Sequence, residues 1–114
     1  MGRAPISKDG WKVLAAIAHY NSKELAKLCE LSPRQLQRKF NLLFGRSPQD
    51  WLNHQRILAA QQLLLSGEPV KEVAFELGFK RVSHFYRQFK LQSQMTPLQF
   101  VFVKPREAAD VARR

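Results

Sequence analysis

Leucine, alanine and aromatic residues recur along this chain at intervals of three and four, and proline and glycine cut the recurrence into pieces. Residues 7–20 place Trp11, Leu14, Ile17 and Ala18 at helical spacing, with Ser7 or Asp9 available as a cap. A short helix is expected over 22–30, with Leu25, Ala26, Leu28 and Cys29 as its apolar positions. Ser32-Pro33 sets a cap before a proline at the first helical position and opens a helix to about Phe44, where Gly45 stops it. Ser47-Pro48 opens another, unbroken to Ser66-Gly67. Further helices are expected at about 70–77, ended by Gly78, at about 81–91, and from Thr96-Pro97 through Phe102. No sustained alternation and no hairpin dipeptide occurs, so the predicted class is all-α, with about seven helices.

The pattern repeats. Leu36, Arg38, Phe40, Ser47, Pro48 and Trp51 recur 49 residues later as Phe85, Arg87, Phe89, Thr96, Pro97 and Phe100. Upstream, Leu25-Ala26 recurs 48 residues later as Val73-Ala74, so the second copy holds one more residue in its turn. Each copy reads as a short helix, a tight turn and a longer helix. Small residues, Ala26 and Ala74, allow the two helices to approach, and Glu30 or Gly78 falls in the turn. Leu36 or Phe85 packs the second helix onto the first. This is helix-turn-helix spacing, the arrangement that pushes a second helix into a major groove. The predicted organisation is one domain of two helix-turn-helix subdomains, 7–46 and 67–103, joined by a long linker helix at 47–66, with a flexible basic tail at 104–114. At ~1.5 Å per residue the linker is ~28 Å long, close to the ~34 Å pitch of B-DNA.

Charge sharpens this reading. The 114 residues contain 19 Lys and Arg against 9 Asp and Glu, a formal charge of +10 that calls for an anionic partner. On a helical wheel Phe40 and Leu43 lie within about 40° of Leu36, while Arg34, Arg38 and Asn41 lie opposite, with Gln37 at the flank. From Phe85, Phe89 joins the core side, Ser83, Arg87 and Lys90 oppose it and Tyr86 is at the flank. Neither outward face contains Asp or Glu. Arg matches guanine O6 and N7, and Gln or Asn matches adenine N6 and N7.

These segments resemble the DNA-binding domain of AraC-type transcription regulators over nearly all of residues 22–102. LAKLCELSPRQLQRKFNLLFGRSPQDWL is similar to the family's first helix-turn-helix, RILAAQQLL to its linker helix, and VKEVAFELGFKRVSHFYRQFKLQSQMTPLQF to its C-terminal signature. The resemblance implies two recognition helices in adjacent major grooves on one face of double-stranded DNA, regulating transcription. It implies base-reading roles for Arg34, Gln37 and Arg38, and for Arg81, Val82, Ser83, His84, Tyr86 and Arg87. Gln35, Asn41, Arg56 and Lys90 complete the candidate DNA-binding set, with Arg56 read as either a phosphate contact or a surface charge. The family commonly has Gly where Glu30 and Gln94 stand, so altered turns or lower stability are expected there. Lys80-Arg81-Val82 replaces the usual small polar opening of the second recognition helix.

Other chemistry is excluded or bland. One cysteine rules out an intrachain disulfide and a cysteine-based zinc site. Cys29 is expected to fill a small core site, Trp11 and Trp51 to anchor the two lobes, and His19 and His54 to be ordinary residues at no metal-ligand spacing. Lys104, Arg106, Arg113 and Arg114 read as a solvated basic end rather than a minor-groove arm. No paired carboxylates, nucleophile–base spacing or phosphate-cradling loop appears, so neither an enzyme nor a cofactor is expected. The longest apolar run, Val13–Ala18, is too short for a membrane span or a signal-peptide core, and Ile6 breaks the myristoylation pattern begun by Gly2. A cytoplasmic, nucleoid-associated protein is expected. Its further partners would be RNA polymerase and, if the chain is a piece of a longer one, a sensor domain or dimer partner. The alternative is an architectural DNA- or RNA-binding protein, which would expose aromatic platforms; here the aromatics sit on core stripes.

Overall fold

The computed structural model describes residues 7–103, and the basic residues Lys104, Arg106, Arg113 and Arg114 lie outside that range. Six helices follow one another as α1 (Lys8–Ile17), α2 (Ser22–Leu28), α3 (Pro33–Phe44), α4 (Pro48–Leu65), α5 (Val70–Glu76) and α6 (Val82–Ser93). Residues 97–103 form a seventh, α7, and no strand occurs among the described residues. The chain divides after Arg56 into two compact units.

Short polar side chains start most of the helices. Ser7 Oγ accepts from the Gly10 N–H, and Asn21 Oδ1 accepts from both Lys23 and Glu24. At α3 a full capping box forms: Ser32 Oγ accepts from the Gln35 N–H at 3.1 Å, and Gln35 Oε1 accepts from the Ser32 N–H at 2.8 Å. Thr96 and Gln99 make the same reciprocal pair at α7. Ser47 Oγ accepts from the Asp50 N–H at α4. By contrast α6 starts at Arg81 with no side-chain cap.

Four helices end in the paired 6→1 and 5→2 backbone bonds of a Schellman turn. After α2, the Leu31 N–H donates to Ala26 O at 2.9 Å and the Glu30 N–H to Lys27 O at 3.1 Å. After α5, Phe79 N–H donates to Ala74 O at 2.9 Å and Gly78 N–H to Phe75 O at 3.0 Å. The same pairs close α1 at His19 and Tyr20, and α4 at Gly67 and Glu68. Glu30 keeps the left-handed conformation within its Schellman turn, with φ of 55°, and Gln94 keeps it after α6 with φ of 62°, its N–H donating to Lys90 O at 2.9 Å. Of the two outcomes expected at these positions, altered turns do not occur, and the left-handed backbone leaves each non-glycine residue its conformational cost.

In the first unit Trp11, Ala15, Leu25, Ala26, Cys29, Leu36, Phe40, Trp51 and Leu52 form the core. Phe40 meets Trp11 edge-on at 4.9 Å and Trp51 edge-on at 5.3 Å. In the second unit Ile57, Ala60, Leu64, Val73, Ala74, Leu77, Phe79, Phe85, Phe89 and Phe100 are buried. Phe89 meets Phe100 edge-on at 5.6 Å, repeating the Phe40–Trp51 contact 49 residues on.

Three positions with core spacing in the sequence are exposed instead. Ile17 lies in the last turn of α1, which stops short of residue 20 because His19 and Tyr20 both turn left-handed; Ala18 is buried in its place. Leu28 ends α2, where Cys29 takes the core site. Leu43 is 48% exposed because its neighbour Phe44 turns inward and stacks on Trp51 at 5.0 Å.

Candidate nucleic-acid interface

Burying Leu36 and Phe40 fixes which face of α3 turns outward. Arg34, Gln35, Gln37, Arg38 and Asn41 are all exposed, and the first turn contains no acid. Gln35 differs from the rest, because its amide oxygen is engaged by the Ser32 N–H and only its nitrogen end is left for a ligand. Gln37 also borders a cleft of about 220 Å³ shared with Ser22, Lys23, Pro33 and Gln49.

In the second unit, burying Phe85 and Phe89 does the same for α6. Arg81, Ser83, His84, Arg87 and Lys90 are exposed, and again no acid lies in the first turn. Val82 and Tyr86 are half-buried. The His84 ring meets Phe79 edge-on at 5.4 Å, and Tyr86 meets Phe85 edge-on at 6.4 Å. These contacts limit the motion of two polar-tipped rings beside the exposed arginines. Lys80, the extra residue of the second turn, is exposed next to Arg81 and adds a cation that the site reading from the sequence left out. The one-residue offset between the repeats was the available signal for it.

Arg56 lies on neither reading helix. It is half-buried in α4, where burial pushes its guanidinium below the usual arginine range and the nearby Tyr20 phenol opposes the shift. Tyr20 is pushed up in turn, mainly by its own burial, with the Arg56 charge acting against it. Cys29 is buried, and burial raises its thiol, the behaviour of a core residue rather than a reactive one. Among the described residues no group of His, Cys, Asp and Glu could hold a metal ion, and no helix is long and apolar enough to cross a membrane.

Two buried-core helix pairs, each offering an acid-free outward helix after the same turn, are the mark of a duplicated helix-turn-helix. A helix-turn-helix domain family model matches residues 14–101. The chain belongs to this family, in its AraC-type branch. It is 38% identical over 92 residues to the virulence regulon transcriptional activator VirF of Yersinia enterocolitica, covering 80% of this chain and 31% of that protein. To the transcriptional regulator MtrA of Neisseria gonorrhoeae it is 36% identical over 83 residues, covering 71% of this chain and 27% of the relative. The chain thus spans about a third of the length of these curated relatives. Among solved structures, the DNA-binding domain of AdpA, a global transcriptional factor crystallised with a target DNA, matches with a TM-score of 0.69 and 31% identity. That match covers 90% of this chain and 89% of the AdpA chain.

Proposed function

We propose that this AraC-type domain binds double-stranded DNA sequence-specifically and regulates transcription, reading successive major grooves with α3 and α6. The observation that carries the reading is the repetition itself. In each unit a Schellman turn leads to a helix whose outward face is made of Arg, Gln, Asn, Ser, Tyr or Lys and contains no carboxylate. Phosphate contacts from the cationic surface supply much of the affinity and make it depend on salt. Arg34, Gln37 and Arg38 read one half-site, and Arg81, Val82, Ser83, His84, Tyr86 and Arg87 the other, with Gln35, Asn41, Arg56 and Lys90 supporting on the backbone. The similarity to AdpA, a protein crystallised on its target, supports this assignment. The domain works as a binding module rather than a catalyst, in the cytoplasm at the nucleoid, with RNA polymerase as its downstream partner.

Selection of duplexes from a random pool, followed by titration at several salt concentrations, tests the proposal. The expected product is a bipartite site with two half-sites about 10 bp apart centre to centre, bound at least ~10³-fold more tightly than random duplex. Equal affinity for selected and random duplex would instead mark an architectural binder.

A further inference from the structure

We propose that Gln49 is a positioning residue for the first reading helix, a role that rests on the DNA-reading function proposed above. The turn between α1 and α2 is strained: His19 and Tyr20 are successive non-glycine residues in the left-handed region, with φ of 54° and 58°. The N-terminal end of α2 that follows borders a cleft of about 220 Å³, which Ser22 and Lys23 line together with Pro33, Leu36 and Pro48. Gln49, in the first turn of α4, lines the same cleft and makes three hydrogen bonds, two across to the start of α2 and the turn before it and one to Asn53 within α4. Its Oε1 accepts from the Ser22 N–H at 3.0 Å, and its Nε2 donates to Tyr20 O at 3.0 Å and to Asn53 Oδ1 at 2.9 Å.

Asn21 Oδ1 takes the N–H groups of Lys23 and Glu24, and Asn21 O takes that of Leu25. Gln49 therefore supplies the acceptor for Ser22, the remaining donor at the start of α2. The Tyr20 carbonyl and the Ser22 N–H, on either side of the capping Asn21, are both tied to α4 through one amide. α2 in turn leads into α3 through the Schellman turn at Glu30 and Leu31, and Gln37 of the reading face borders the same cleft. Releasing Gln49 lets the N-terminal end of α2 shift against α3 beneath Gln37. The second unit has no counterpart: the matching residue is Leu98, 62% exposed, and Pro69 starts α5 without a side-chain cap. The effect is confined to the half-site read by α3.

The test uses wild type, Gln49→Ala and Gln49→Glu on the selected duplex and on duplexes altered in either half-site. The half-site of α3 is the one whose base preference is lost in Arg38→Ala. Gln49→Ala is expected to weaken binding about tenfold, as loss of two or three part-buried hydrogen bonds implies. Alterations in the α3 half-site then cost the variant less than wild type, while those in the other half-site cost the same. Gln49→Glu can accept from Ser22, but as a carboxylate it cannot donate to Tyr20 O. It binds weakly at neutral pH and recovers towards wild type as acid protonates it, whereas the ratio of Gln49→Ala to wild type stays flat. If Gln49→Ala unfolds the first unit, this recovery decides the matter. Unchanged half-site discrimination in Gln49→Ala, or no recovery in Gln49→Glu, overturns the positioning role while leaving DNA reading intact. A wild type that prefers no sequence overturns both.

Discussion

After α1 and α2 the first unit turns left-handed at His19, Tyr20 and Glu30, whereas the positions matching His19 and Glu30 in the second, after α4 and α5, are Gly67 and Gly78. After the reading helices the assignment reverses: Gly45 closes α3 and Gln94 closes α6, with φ of 66° and 62°. At each of three equivalent turns one unit has glycine and the other does not, yet both take a positive φ there. The positive φ thus goes with the backbone bonds that close each helix, paired after α1, α2, α4 and α5 and single after α3 and α6, where Gly45 N–H donates to Asn41 O and Gln94 N–H to Lys90 O. Residue identity decides only how much the conformation costs.

The largest test of the equivalence is functional. Arg38→Ala and Arg87→Ala are each expected to weaken binding to the selected site by about 1–3 kcal/mol and to relax preference at one position, in different half-sites. Competition titrations against single-base variants read this directly. If Arg87→Ala loses equally on selected and random duplex, the second helix touches only phosphate and the two units read DNA differently.

Next in size is the glycine that the first unit does keep. An added Cβ at Gly45 meets nothing within 4 Å, so Gly45→Ala is disfavoured by its backbone alone, with an expected loss of about 1–2 kcal/mol in denaturant unfolding. A loss near zero would mean that the turn after α3 relaxes, and that left-handed geometry is not required there.

The helix starts were legible for a local reason: Ser32-Pro33, Ser47-Pro48 and Thr96-Pro97 each hold a cap and a proline within two adjacent residues. The exposed faces of α3 and α6 were equally legible, because Leu36, Phe40, Phe85 and Phe89 fix the wheel. What failed was the last turn of α1, α2 and α3. Ile17, Leu28 and Leu43 keep the apolar period, but a neighbour one residue along (Ala18, Cys29 or Phe44) takes the inward place where the helix is ending. Gln49 was illegible for a different reason. A glutamine after Ser-Pro is unremarkable in sequence, and its partners Tyr20 and Ser22 lie 29 and 27 residues away.

The two reading helices also start differently, and this contrast is worth about as much as one cap. Ser32→Ala removes half of the capping box and is expected to cost about 1 kcal/mol of stability. Since α6 folds from Arg81 without any side-chain cap, Arg81→Ser is expected to gain a similar amount in thermal unfolding while losing DNA affinity. Smaller again is Gln94→Gly, expected to stabilise by about 0.5 kcal/mol once the relief of strain is set against the added freedom of the unfolded chain.

The smallest expected effect separates the units by pH. In the second unit Glu68, Glu72 and Glu76 stand at positions that in the first are Tyr20, Glu24 and Leu28, and there Glu24 faces Lys27 at 3.5 Å. The Glu68 carboxyl is pushed above its usual range, first by its hydrogen bond to Glu76, then by desolvation and by the charges of Glu76 and Glu72. A carboxyl whose folded-state value exceeds the unfolded one is least favourable when ionised. The penalty is therefore full at neutral pH and is relieved as pH falls through the folded-state value. Glu76→Gln removes one charge and presents an amide that can donate to the ionised Glu68. It is expected to raise the melting temperature of the second unit at neutral pH, with an advantage over wild type that shrinks as acid protonates Glu68. Taking the difference between variant and wild type cancels the general effect of acid on a chain with a net charge of +10. An advantage that stays constant as the pH falls would place the benefit in packing or helix propensity, and the acidic stripe would then cease to distinguish the two units.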